Sequence, residues 1–344
     1  MTDLTTTVGP LRLKNPVLAA SSEATMTEEG ILGCLDAGAG AVVAKSVNES
    51  PAAARQLHIA DYALLGATGE PVPWPHRTGG ETLLCRSGLA PLEGWLAMLE
   101  RTQVYARGLG AHVIGSITVA EPGPAADLAR EMAREMARVV PAVEVNVGAP
   151  HGREAGAVRQ VTGPETVARY TRAVRDAVDV PLIVKLPAQT DSPRALAAAA
   201  RDAGADVIAM IGRFNGFWPD PVTSEPVLGS WGAVGGPAML PVSLYWVSKT
   251  FAADRRTPLI GTNGARTAAD VARFLLSGAR AVELASVVLL HGPGVLGDLV
   301  RDLDEVLAAG GHTRVADAVG AAVDRSRAYA DIPPRDRPPR PWED

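Results

Sequence analysis

One two-part phrase recurs along the chain: a short β-branched run, then an amphipathic stretch rich in Ala, Leu and Arg. The runs fall at 16–21, 41–46, 112–119, 142–147, 181–186, 206–211, 258–262 and 281–286. The stretches fall at 26–37, 92–107, 124–138, 163–178, 192–203, 240–253, 267–277 and 294–309. Alternation of this kind demands a parallel sheet whose strands are joined by right-handed helical crossovers. Eight units close that sheet into an α/β fold of the (β/α)8 TIM-barrel type; an open doubly wound sheet is the alternative. Three junctions share a wording: AGAGAVV (37–43), AGADVIA (203–209) and SGARAVE (277–283). Each sets a Gly where a helix ends in a left-handed cap, just before a buried strand.

Two connections are too long for simple turns: 47–91 after the second strand and 212–238 after the sixth. Both are rich in Gly, Pro and aromatics, and the second holds Phe214, Phe217, Trp218 and Trp231 in a chain only 4% aromatic. Long structured loops act as lids or binding walls, with an oligomer contact as the alternative for part of each. The expected organisation is one barrel domain over 1–331 and a Pro- and charge-rich tail over 332–344. The first sixteen residues carry neither a charged n-region nor an apolar h-region, and no apolar run reaches membrane-spanning length. Cys34 and Cys85 offer no metal spacing and no disulfide framework, which fits a reducing cytoplasm. A net charge of −5 without basic runs argues against nucleic acid and anionic membranes.

Barrel enzymes keep their chemistry at the C-terminal ends of the strands. Polar residues that interrupt apolar strands there are therefore the candidates. Only four of the 33 basic residues are lysines, yet Lys45 (VVAKS) and Lys185 (LIVKL) both close strands. A lysine there offers a point charge of tunable pKa to a ligand's carbonyl or ring nitrogen; snorkelling from the barrel rim is the structural alternative. Glu144 and Asn146 share a strand face, the first read as a buried partner and the second as a donor and acceptor at the mouth. GTNGART after the seventh strand and LASVV after the eighth place Asn263, Gly264, Ala285 and Ser286 where backbone N–H groups meet a phosphate. GAVGGPA (232–238) adds a further Gly-rich approach.

The ordered set LKNPVLAASS, GAGAVVAKS, EVNVGAPHG, PLIVKL, GGPAMLP, LIGTNG and SGARAVELAS, spread over roughly 10–310, resembles the FMN-binding barrel of dihydroorotate dehydrogenases. It is still more similar to the pyrimidine-reducing domain of dihydropyrimidine dehydrogenases, whose loop also reads Pro-His-Gly. The resemblance implies FMN as cofactor. Ala20 and Ser21 would line the flavin, Lys45 would approach ring and substrate, Lys185 would sit against the isoalloxazine, and Asn146 would hold ring and substrate. Gly236, Asn263, Gly264, Ala285 and Ser286 would cradle the FMN phosphate.

Departures accompany the likeness. The family's loop Cys or Ser, its acid/base beside the flavin, is Ala149 here, and the Ser before it is Gly148. The family's substrate-binding Asn after the second strand falls near Cys85-Arg86-Ser87, and its Asn-Ser/Thr after the sixth becomes Ile211-Gly212. Polar groups that read a pyrimidine ring are thus expected to be largely missing, as are the cysteine clusters for iron–sulfur electron transfer.

The expectation is a cytoplasmic, homodimeric FMN-dependent oxidoreductase that acts on a small molecule other than dihydroorotate. Lys45, Asn146 and His151 are its catalytic candidates, and no metal, nucleic acid or membrane partner is expected. His151 stands two residues past the lost base; alternatively the substrate's proton is already acidic, or turnover is lost. A Schiff-base barrel enzyme of the aldolase kind and a catalytically silent FMN binder are the rival readings.

Overall fold

The computed structural model describes residues 2–48, 57–119, 125–148 and 163–334. Eight parallel strands close into a barrel in chain order, each hydrogen-bonded to the next and the last to the first. They are β1 (Val17–Ala19), β2 (Ala41–Val43), β3 (His112–Ile117), β4 (Val143–Asn146), β5 (Leu182–Lys185), β6 (Val207–Met210), β7 (Leu259–Thr262) and β8 (Ala281–Leu284). The crossover helices are α1 (Glu28–Asp36), α2 (Trp95–Gly108), α3 (Ala125–Val139), α4 (Pro164–Arg175), α5 (Pro193–Asp202), α6 (Leu240–Ala253), α7 (Ala268–Leu276) and α8 (Val295–Ala309). All eight expected strands and all eight helical stretches are present, so the closed barrel prevails over the open sheet. Gly38, Gly204 and Gly278 end their helices at φ +99°, +104° and +110°, the left-handed caps expected at the three junctions.

The strand period of two sorts the core into layers. Leu18, Val43, Ile114, Ala142, Ile183, Ile260 and Ala281 point inward and form one apolar cluster. Val8, Leu11 and Leu13 of an antiparallel hairpin (Thr6–Val8 with Leu11–Leu13) join that cluster and close the barrel's N-terminal end. Intervening residues such as Val17, Val42, Val113, Val143 and Leu182 face outward into the larger core shared with the helices. Two residues beyond the apolar layer, on the same faces, come Ala20, Lys45, Ser116, Glu144, Lys185, Thr262 and Glu283. One step of the pleat thus separates a dry floor from a polar one.

The two long insertions are not independent loops. Strands Asp61–Leu65, Pro71–Val72 and Thr82–Arg86 from the first join Phe214–Gly216 and Gly232–Gly235 from the second in one five-stranded antiparallel sheet. The joint runs between Thr82–Arg86 and Gly232–Gly235, with Cys85 opposite Ala233 and Leu83 opposite Gly235. Leu83, Gly235 and Gly236 face the cleft described below, so this sheet forms one of its walls. The aromatics of the second insertion do not line that cleft: Phe217, Trp218 and Trp231 are exposed, and Phe217 stacks on Trp231 with ring centroids 5.9 Å apart. Among the described residues, no helix is long and apolar enough to cross a membrane. Residues 335–344 of the expected tail lie outside the described residues.

Candidate active site

A cleft of about 830 Å³ opens at the C-terminal ends of the strands, between the barrel mouth and the insertion sheet. Ala20, Ser21, Lys45, Asn146, Lys185, Gly236, Asn263, Gly264, Ala285 and Ser286 all line it. His151, the remaining site candidate, lies outside the described residues together with Ala149 and Pro150.

Local geometry explains why these residue types stand where they do. Asn146 ends β4 and its Oδ1 accepts the Gly148 N–H at 3.0 Å. That bond turns the side-chain oxygen back on the loop and leaves the amide N–H groups as the donors Asn146 can offer the cleft. A Cβ on Gly148 would meet the Pro187 nitrogen at 2.7 Å and the Leu186 carbonyl carbon at 2.8 Å. The loop therefore presses against the end of β5 too closely for the Ser found at this place in the family.

Asn263 adopts φ +72° after β7, and Gly264 follows at φ +107°. The Asn263 amide donates to Gly212 O at 3.0 Å, and its Oδ1 accepts from Gly236 N at 3.4 Å. Asn263 thus staples the second insertion to the end of β7, with both ends of its side-chain amide engaged. A Cβ on Gly264 would lie 2.5 Å from Leu240 N. The short helix Ser286–His291 starts on Ala285 with no side-chain cap, leaving its first N–H groups to other acceptors.

The two lysines are held in different ways. Lys45 is buried and its Nζ lies 2.7 Å from Glu23 Oε1, on the turn after β1. Burial lowers the Lys45 pKa, with Glu23 acting against the fall. Burial works against the ionised Glu23, but Lys45 foremost, with the Arg213 charge behind it, outweighs that penalty, and the carboxyl stays below its usual range. Lys185 hydrogen-bonds Glu283 Oε2 and stands 3.9 Å from Glu144 Oε2. Desolvation opposes its charge, yet the two carboxyl groups prevail and its pKa rises. Lys185 therefore does not bring the bare positive charge that the sequence suggested; Glu283 answers it.

Sequence reasoning also misjudged the substrate wall. Arg213, one residue past Ile211-Gly212, lines the cleft. Its guanidinium hydrogen-bonds Cys85 Sγ and donates to Ser87 Oγ at 2.9 Å. Polar groups are therefore present where they were expected to be missing, although they differ in type from the family's amides. Burial pushes the Cys85 thiol up, so this residue is no replacement for the lost loop base. Glu23 lines the same side of the cleft, and the Tyr62 hydroxyl is buried without a hydrogen-bond partner among the described residues. Glu23 and Arg213 sit just beyond the strand ends, where the period-two reading stops. Glu283 carried the same signal as Glu144, an acid inside an apolar strand, and was legible.

The cleft lies at the end of the fold where barrel enzymes keep their active sites. The sequence profile of the dihydroorotate dehydrogenase family matches residues 3–307. A Dihydroorotate dehydrogenase B (NAD(+)) catalytic subunit from Pyrococcus abyssi is 29% identical over 91% of this chain and 97% of its own. The subunit of the same name from Desulforudis audaxviator is 32% identical over 92% and 96%. That from Bacillus pumilus is 32% identical over 73% and 79%. The chain belongs to the dihydroorotate dehydrogenase family, FMN-dependent oxidoreductases.

Proposed function

We propose that the cleft is the FMN site and the active site of an enzyme that moves a hydride between flavin and a small molecule other than dihydroorotate. The supporting observation is convergence: ten residues chosen from seven separate stretches of sequence line one cleft. The residues present fit the cofactor. At one end, Gly236 at φ +117° and Gly264 at φ +107° let backbone approach a phosphate as no side chain allows. Asn263, Ala285 and Ser286 complete that end. At the other, Ala20, Ser21, Lys45, Asn146 and Lys185 make a small-residue and cationic floor suited to a flat ring. FMN, when bound, supplies the two-electron hydride chemistry.

The protein's own groups bind, orient and manage protons. Lys45 and the Asn146 amide face ring and substrate, and His151 is the acid/base that replaces the lost loop residue. Arg213, Ser87 and Tyr62, with Glu23, form a substrate wall that differs from the family's Asn residues, which supports a substrate other than dihydroorotate. Lys185 is held as an ammonium by two carboxyl groups, which counts against a Schiff base there. We also take the protein to be a cytoplasmic homodimer with one domain over 1–331. Free, buried Cys34 and Cys85 and the exposed Trp231 and Phe217 support compartment and self-association respectively. The test is purification: about one FMN per chain is expected. A colourless protein that takes up no added FMN overturns this reading.

A further inference from the structure

Three serine hydroxyls run side by side around the barrel beneath the cleft. Ser21 Oγ lies 3.0 Å from Ser46 Oγ, and Ser46 Oγ lies 2.8 Å from Ser116 Oγ. Ser116 then donates to Glu144 Oε1 at 3.1 Å. In both serine pairs either oxygen can be the donor. The four residues belong to the neighbouring strands β1 to β4 or their C-terminal extensions, so the path follows the sheet from one strand to the next. Its outer end, Ser21, lines the cleft, while Ser46, Ser116 and Glu144 are buried.

At the inner end, one ammonium serves two acids. Lys185 is hydrogen-bonded to Glu283 and only 3.9 Å from Glu144. Both acids are essentially inaccessible to water, at 0% and 1% exposure. Glu144 Oε2 and Glu283 Oε1 are left without a hydrogen-bond donor, although both acids converge on the same ammonium. Two carboxylates and one ammonium leave an excess negative charge in a nearly solvent-free site at the edge of the cleft, where two like charges around one ammonium are costly. A single proton between the acids removes the excess charge and supplies the missing donor.

We propose that Glu144 is a proton store for the cleft, holding a proton against Glu283 and exchanging it with the cleft through Ser116, Ser46 and Ser21. The groups that face it are Lys185 from β5, Glu283 from β8 and Ser116 from β3; Arg213, after β6, acts on Lys185. Burial and Glu283 raise Glu144 to about 8 against the pull of Lys185 and Ser116, so the store is full at neutral pH. On discharge, Ser116 turns its hydroxyl from Glu144 Oε1 to Ser46 Oγ; the Glu144 proton, now on Oε1, passes to Ser116 as the Ser116 proton moves to Ser46, that of Ser46 to Ser21, and that of Ser21 to a base in the cleft. One carboxyl is ionised, one proton is delivered, each serine ends as a hydroxyl, and no electrons move. The purpose of the store rests on the redox reading of the cleft; its existence and its path do not.

Infrared spectroscopy of the protein as purified tests both parts. At neutral pH the wild type is expected to show a buried carboxylic-acid C=O band that fades as pH passes about 8. Glu144→Gln removes the band. Glu283→Gln removes it as well, because Glu144 then ionises as the sole partner of Lys185, and this gives a second variant should the first not fold. After transfer to D2O the band shifts as its proton exchanges. Ser46→Ala keeps the band but slows that shift roughly tenfold, the worth of one relay hydrogen bond. Wild type without the band, or the band surviving in whichever Gln variant folds, overturns the store. Unchanged exchange in Ser46→Ala overturns the path. A protein that shows the band yet binds no FMN refutes only the redox reading.

Discussion

Gly264→Ala is the sharpest test of the phosphate end. The residue sits at φ +107°, and its Cβ would lie 2.5 Å from Leu240 N, 2.6 Å from Leu240 Cα and 2.9 Å from Leu240 Cβ. These atoms belong to the first residue of α6 and cannot swing aside as a side-chain tip can. Left-handed backbone costs an alanine about 1–2 kcal/mol before any contact is counted. Restoring ordinary contact then needs a shift of roughly 1 Å between loop and helix, enough to spoil hydrogen bonds to a charged phosphate at about 1.5–3 kcal/mol each. Loss of one or two such bonds weakens FMN by on the order of 10–10⁴-fold. The assay is FMN titration of stripped protein by flavin fluorescence, with thermal unfolding run alongside. Gly94→Ala is the control: Gly94 also has positive φ (+67°) but open space around its Cβ position, so it pays backbone strain and leaves FMN affinity unchanged. Gly264→Ala binding FMN within threefold of wild type would refute the cradle.

Three further outcomes are expected. Arg213→Ala should cut kcat/KM with the true substrate by about 10–100-fold, the loss of a charge-assisted hydrogen bond, while FMN content holds; equal kinetics would remove Arg213 from the substrate wall. Assayed in the direction of substrate oxidation, His151→Ala should lose on the order of 10²–10⁴ in rate and an ionisation near neutrality, and a variant within a few-fold of wild type in that direction would eliminate the role. Stability should fall as pH rises from about 4.5 to about 8, because folded Glu144 binds a proton that the unfolded chain has released. Below that window both states are protonated, so the contribution is fully present and the slope is zero; Glu144→Gln should flatten the slope in a pH series of melting temperatures, and a slope unchanged in the variant would show that it arises elsewhere.

The barrel was legible because its signal is local and repeated. Each strand and helix carries its own period, and Gly38, Gly204 and Gly278 mark helix ends without reference to anything distant. Lys45, Lys185 and Glu144 were legible for a related reason: a charge two residues past an inward apolar residue must enter the polar layer. Their partners were not. Lys185 meets Glu283 only because closure brings β5 and β8 across one interior, and the two residues are 98 apart in sequence. The insertion sheet was hidden more deeply. Its strands are two to five residues long, and Cys85 finds Ala233 across 148 positions, whereas strand propensity is decided by such partners. Arg213 rides on that sheet's connection, so its place beside Cys85 and Ser87 could not be read before the pairing was known.

Hydride transfer at carbon is accompanied by a proton, and the floor of this cleft narrows where that proton can travel. Lys185 is an ammonium between two acids, and Lys45 is bound to an ionised Glu23. The Cys85 thiol is fully buried and pushed up. None of these can accept a proton at neutral pH without first breaking a buried ion pair or desolvating a thiolate, each at a cost of several kcal/mol. The serine path from Glu144 remains, and it has a direction. A store that is full at neutral pH gives a proton and cannot take one. The described residues are accordingly set to deliver a proton to a substrate that receives the hydride, whereas oxidation of a substrate requires a separate acceptor, the role assigned to His151. A reducing enzyme should therefore slow as pH climbs past about 8, where Glu144 empties, and should keep most of its rate when His151 is removed. An enzyme working in the oxidising direction should show the opposite pair of dependences.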